Sequence, residues 1–183
     1  MSFSNETEKA AYKHIANAVK KYINPVEVTE DFIIFRDNEV KRNKLVDKYR
    51  KIRRSDDQLK MDADCVLLEY HLITNQIVKP TSTWRNDFEL FDMNIDAKRI
   101  SSKWFNVSDM KLPQYLESMN SNDLTHFMFW KYNRKIDRPF VEGDTVSFTI
   151  LDIANAHTVI DSLKSSNRYG GYYYEVNRYE QAA

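Results

Sequence analysis

An acid and a lysine two residues apart share one face when the chain is extended. The carboxylate can then hold a cation while the ammonium neutralises an anion beside it. Three such triplets occur in this 183-residue chain: Glu39-Val40-Lys41, Asp96-Ala97-Lys98 and Asp109-Met110-Lys111. In a helix the two side chains diverge by about 200°, since each residue turns about 100°. Glu39 opens a helix-like run, and Asp109-Met110-Lys111 precedes a helix started at Pro113. Only Asp96-Ala97-Lys98 lies in a convincing strand. The Glu39 triplet ranks second, with Asp31 preceding it across "FIIF".

Asp87 joins the Asp96 triplet through the stretch "RNDFELFDMNIDAKRISSKW", residues Arg85 to Trp104. Strands over 87–91 and 94–102, turning around Asp92-Met93-Asn94, bring Asp87 alongside Asn94 to Lys98. Paired strands lie about 4.8 Å apart, so carboxylates on both repel and shift their pKa values unless something neutralises them. A divalent cation does so, and oxygen ligands favour Mg²⁺ or Mn²⁺ over zinc. The chemistry served best is phosphodiester hydrolysis, with the metal lowering the pKa of water and metal and ammonium stabilising charge on the phosphate. The alternative is that Asp87, Asp92 and Asp96 are solvent-facing residues beside a turn. Glu89 shares strand parity with Asp87 and is a substitute ligand.

Other chemistries lack support. The chain has only three glycines and contains neither a GxxxxGK[ST] nor a GxGxxG loop. His14, His71, His126 and His157 show no zinc-like spacing, and no serine sits in a GxSxG context. Cys65 has no partner for an internal disulfide, and Met1 to Lys13 lacks the apolar core of a secretory signal. With no apolar run of about 18 residues, the expectation is a cytoplasmic protein without a membrane partner. Formal net charge is zero, from 27 basic and 27 acidic residues, which leaves room for a local basic groove. The segment Lys41 to Arg54 carries Lys48, Arg50, Lys51, Arg53 and Arg54, either as a solvated helix face or facing phosphates. Lys79, Arg85, Arg99, Lys103, Lys131, Arg134 and Lys135 flank the proposed site and are candidates for tracking a phosphate backbone, or else plain surface charges.

The elements that must position these groups follow from periodicity. Helices are predicted over 6–23, 39–54 and 57–74, a strand over 26–35 ("DFIIF"), and a short strand at Ile77-Val78. After the hairpin come a short helix from Lys111-Leu112-Pro113, strands over 124–132 and 145–153, and a helix over 154–163. The tail "RYGGYYYEVNRY" reads as a Gly-Gly turn with an aromatic strand or arm. Trp104, Phe105, Phe127, Phe129, Trp130 and Tyr132 read as core rather than as a base-stacking platform. This is an α/β or α+β pattern, read as a single domain.

The stretch "NDFELFDMNIDAKRI" resembles the active-site hairpin of the PD-(D/E)XK nuclease superfamily, the restriction-endonuclease-like fold. That family places an Asp at the start of one strand and an acid-x-Lys on the next. The order of elements from Asp57 to Tyr132, helix, short strand, hairpin, short helix, strand, also resembles its core. Asn86 stands where the family's nominal proline precedes the first Asp, and the second acid is Asp rather than the commoner Glu. The resemblance implies a central mixed sheet flanked by helices over 57–132, an N-terminal helical and basic extension over 1–54, and a strand–helix–strand addition over 133–183. It implies Asp87, Asp96 and Lys98 as catalytic residues, and metal held by Asp87, Asp96, the Ala97 carbonyl and Glu69, with Lys98 on the attacking water and the phosphate. DNA is the implied substrate, with RNA as a variant. A homodimer and an origin like that of small phage or mobile-element nucleases, acting in the bacterial host cytoplasm, complete the expectation. The rival is a non-catalytic nucleic-acid-binding or protein-interaction domain.

Overall fold

The computed structural model describes residues 6–20, 29–50, 54–81, 83, 85–133, 135–141, 143–166 and 171–176, with backbone alone at 43 and 45–50. The chain runs α1 (Glu6–Lys20), α2 (Glu30–Arg50), α3 (Asp56–Asp64), α4 (Leu67–Thr74), β1 (Lys79–Pro80), β2 (Phe88–Leu90) and β3 (Met93–Arg99). It continues with β4 (Trp104–Val107), α5 (Leu112–Asn120), β5 (His126–Tyr132), β6 (Phe148–Asn155), α6 (Ala156–Asp161), β7 (Lys164–Ser166) and β8 (Gly171–Glu175).

The larger sheet has the order β1-β2-β3-β5-β6. Its β3–β5 pair is parallel and its other pairs are antiparallel, so the sheet is mixed. Two cores lie on its two faces. On one, Ala11, Tyr12, Ile15 and Val19 of α1 and Leu67, Leu68 and Leu72 of α4 meet Ile95, Ala97, Met128, Trp130 and Ile150. On the other, Phe127, Phe129, Leu151 and Ala154 meet α5, α6 and a three-stranded sheet of order β4-β8-β7. Burying each large apolar side chain stabilises the fold by about 1.5–3 kcal/mol, so both faces are strongly specified. The protein is a mixed α+β fold with helices flanking a mixed sheet.

Several expectations are corrected. The segment expected as a strand over 26–35 is, from residue 29 on, the start of α2. Thr29 accepts the Phe32 amide on its hydroxyl at 3.2 Å and the Ile33 amide on its carbonyl at 3.0 Å, and Glu30 and Asp31 fill the first turn. Phe32 is fully buried while Ile33 and Ile34 face solvent, as a helix requires. The helix expected over 57–74 divides at Cys65-Val66, where the amides of both residues bond three residues back. The short strand falls at 79–80, and Pro80 is tolerated there because β1 is the sheet edge. The hairpin turn holds two residues, Phe91 and Asp92, both at positive φ (49° and 61°). Such primed turns match the twist of the flanking strands, and neither residue advertises one. Strand β4 was not foreseen. Its neighbour β8 begins at Gly171, φ +138°, where a Cβ would lie 2.6 Å from the Val107 carbonyl oxygen. Phe105, Phe127, Phe129, Trp130 and Tyr132 are buried as read, whereas Trp104 is half-buried against Tyr173.

Candidate active site

The site grows out of the pleat of β3. Ile95 and Ala97 point into the α1/α4 core, which leaves Asp96 and Lys98 on the opposite face. The parallel register sets Asp96 beside Phe127 and Lys98 beside Phe129. Lys98 Nζ lies 2.7 Å from Asp96 Oδ1, with the two side chains 25% and 10% exposed, so solvent reaches both.

Asp87 stands in the bend just before β2 rather than in the strand. Its amide donates to the Ile95 carbonyl at 2.9 Å, and its Oδ2 accepts the Ala97 amide at 2.7 Å. A side chain thus takes up the ladder where the β2 backbone leaves off. In an extended strand the amide and carbonyl of one residue leave the same edge, so the Ala97 carbonyl faces this side too. The Asp87 carboxyl is also in hydrogen-bond contact with that of Asp96.

This crowding sets the protonation states. Burial, then the charge of Asp96, holds the Asp87 carboxyl well above the usual carboxylate range, against Lys98 and the Ala97 amide. Glu69 on α4 is raised likewise, by burial and then by Asp87, Asp96 and Glu39. Burial works against the charge of Lys98, but Asp96, Tyr115 and Asp87 outweigh it and the ammonium stays protonated. Tyr115 of α5 bonds Lys98, and burial pushes its phenol up to about 12. The ring of Tyr115 also lies 5.5 Å from Lys98 Nζ.

The structure therefore brings Asp87, Asp96, Ala97 and Lys98 together and sets Glu69 within electrostatic reach. Among the described residues no three His, Cys, Asp or Glu side chains gather into a metal-holding group. Glu89 pairs instead with Asn94 and Lys79 on the hairpin side away from β5. Two neighbours went unread in the sequence. Tyr115 arrives from a helix whose distance along the chain carries no signal. Glu39 was weighed only as a rival triplet, yet its charge reaches Glu69 from mid-helix in α2, where Glu39 and Lys41 diverge.

The expected nucleic-acid contacts are placed unevenly. The side chains of Lys48 and Arg50, and Lys51 and Arg53 entirely, lie outside the described residues. Arg54 pairs with Asp62, and Lys103 lies 2.9 Å from Glu175 and 4.5 Å from the Trp104 ring centre. Arg85 reaches Glu117 at 2.8 Å, Ser121 at 2.9 Å and Asp123 at 3.4 Å, tying the approach to β2 onto the end of α5. Arg99 is exposed at the end of β3 with no ion-pair partner among the described residues. No helix among them is long and apolar enough to cross a membrane.

Comparison with protein-family models, with curated proteins and with solved structures returned no match.

Proposed function

We propose that the protein is a Mg²⁺- or Mn²⁺-dependent nuclease that hydrolyses phosphodiester bonds in DNA on a restriction-endonuclease-like core. The observation that carries this reading is the contact of the Asp87 and Asp96 carboxyls with Lys98 beside them on one strand end. The order α4-β1-β2-β3-β4-α5-β5, with β1, β2 and β3 antiparallel and β5 parallel to β3, supports it, since apart from the added β4 it is the order expected from the resemblance.

The donor set fits a hard cation. Mg²⁺ is commonly held by one or two carboxylates, several waters and the substrate phosphates, so Asp87, Asp96 and the Ala97 carbonyl suffice without a third acid. Glu69 stands behind them as an outer carboxylate. A divalent cation bound there supplies positive charge at the phosphate and a more acidic water. Burial and the Asp96 charge shift Asp87 toward its protonated form, so a cation and a proton compete for it. Lys98, held as an ammonium, serves as a cation and hydrogen-bond donor to the phosphate rather than as a base.

The Asp96–Lys98 ion pair also fits a non-catalytic nucleic-acid-binding domain, in which the pair simply neutralises itself. One experiment separates the two: plasmid, linear and single-stranded DNA, and RNA, are incubated with the protein and Mg²⁺ or Mn²⁺, alongside Asp96→Ala and Lys98→Ala. The expected result is metal-dependent cutting that falls at least about 100-fold in each variant. Equal cutting by wild type and both variants, or none by wild type, overturns the proposal.

A further inference from the structure

Strands β3 and β5 are parallel neighbours, so their carboxyl ends open on the same side of the sheet. Ligands of open α/β sheets bind outside such ends. Here they frame a cavity of about 540 Å³ lined by Arg99, Ser101, Lys131, Asn133 and Lys135, with Tyr132 and Ile136 beside them. We propose that this cavity is a phosphate-binding site, taking a phosphoryl group of the strand whose neighbouring linkage lies at Asp96 and Lys98.

Charge carries the proposal. Three cations line the cavity, and among the described residues no acid does. Other bases are paired with acids, Arg85 with Glu117 and Asp123, Arg138 with Asp144, and Lys103 with Glu175. Arg99, Lys131 and Lys135 have no ion-pair partner among the described residues, so they present positive charge in a concave site. The polar groups suit a phosphoryl ligand. Arg99 offers a planar fork for two of its oxygens, the lysines offer point charges, and Ser101 offers a hydroxyl. Asn133 is held in place, donating to Ser147 at 2.9 Å and accepting from Thr149 at 2.6 Å. The Tyr132 hydroxyl donates to the Asp64 backbone carbonyl, which leaves its ring as an apolar wall with Ile136.

Size points past a bare ion, since cavities of about 300–1,000 Å³ hold small organic ligands. A phosphate together with its sugar fills this one better. Arg99 lies three positions beyond Asp96, about 10 Å along the strand. Successive side chains leave opposite faces, so the bound strand passes over the end of β3 between the two sites. The phosphate's source rests on the nuclease reading; the affinity for a phosphoryl group does not.

Binding of a labelled single-stranded oligonucleotide to the full chain, by fluorescence anisotropy across salt concentrations, tests this. A 5′-phosphorylated and a 5′-hydroxyl version are compared, with inorganic phosphate as competitor. The variants are Arg99→Gln, Lys131→Gln, Lys135→Gln, their triple combination and Lys131→Arg, each checked for an unchanged melting temperature. The expected result is competition by inorganic phosphate, weakening by each glutamine, retention by Lys131→Arg, and a salt slope shallower by about 0.7 per lost cation. At least tenfold tighter binding of the phosphorylated end identifies a terminal phosphate, and equal binding identifies an internal one. Equal affinity and slope in wild type and the triple variant overturn the proposal. If Asp96→Ala abolishes cutting while the triple variant matches wild type, this proposal alone fails. If nothing cuts while the glutamines weaken binding, the nuclease reading alone fails.

Discussion

Asp87 is buried beside Asp96, so a proton or a cation on Asp87 relieves the repulsion between the two carboxyls. The Asp87 carboxyl is raised, so its contribution to stability is present at low pH and is lost as pH rises through its folded pKa. Asp87→Asn keeps an oxygen for the Ala97 amide and gives Asp96 a donor. Without metal, urea unfolding should find this variant more stable than wild type by about 0.5–2 kcal/mol at pH 8. The gain should grow with pH above about 4, where the unfolded carboxyl ionises. The same variant should lose cutting and lose the rise in melting temperature that Mn²⁺ gives wild type. At this scale the sequence was legible where period two governs, since Asp96 and Lys98 were found by parity alone. Asp87 was expected as the first residue of the partner strand; it lies one residue before β2, where its side chain accepts the Ala97 amide in place of a backbone partner. Tyr115 was not legible, because α5 meets β3 only through tertiary packing.

At the scale of elements, the hairpin is held from outside as well as by its own ladder. Arg85 binds Glu117, Ser121 and Asp123, so the approach to β2 is fixed to the end of α5, two residues before Asp87. Arg85→Ala should lower stability by about 1 kcal/mol in urea unfolding. It should lower cutting by more than that loss accounts for, because the misplaced group is Asp87; a fall in cutting no larger than the unfolded fraction would refute this. Apart from β4, the order of elements from α4 to β5 was readable from periodicity. The start of α2 was misread because "DFIIF" has strand composition, whereas Thr29, Glu30 and Asp31 form a helix start that should have outranked it. Strand β4 escaped notice because its partner, β8, lies far along the chain.

The whole molecule carries buried acids away from the site. Asp64 takes the Phe140 amide and lies 3.7 Å from Arg36, yet burial pushes it up to about 6. Asp152 on β6 is pushed up to about 7, by burial and then Glu8, against the Ile153 amide. Both are raised acids, so the stability they lend is full below about pH 4 and is lost as pH climbs through about 6 and 7. The urea midpoint should therefore fall between pH 5 and 8, and Asp152→Asn should flatten the upper part of that fall; an unchanged slope would refute it. The two cores also differ in when they can exist. The one under α1 and α4 uses nothing beyond Ile153, whereas the one behind Asp96 and Lys98 needs Tyr174 and Val176. A chain leaving the ribosome can close the first while the second still waits for its central strand. The face that carries Asp96 and Lys98 is thus backed by a complete core only once residues 171–176 lie between β4 and β7.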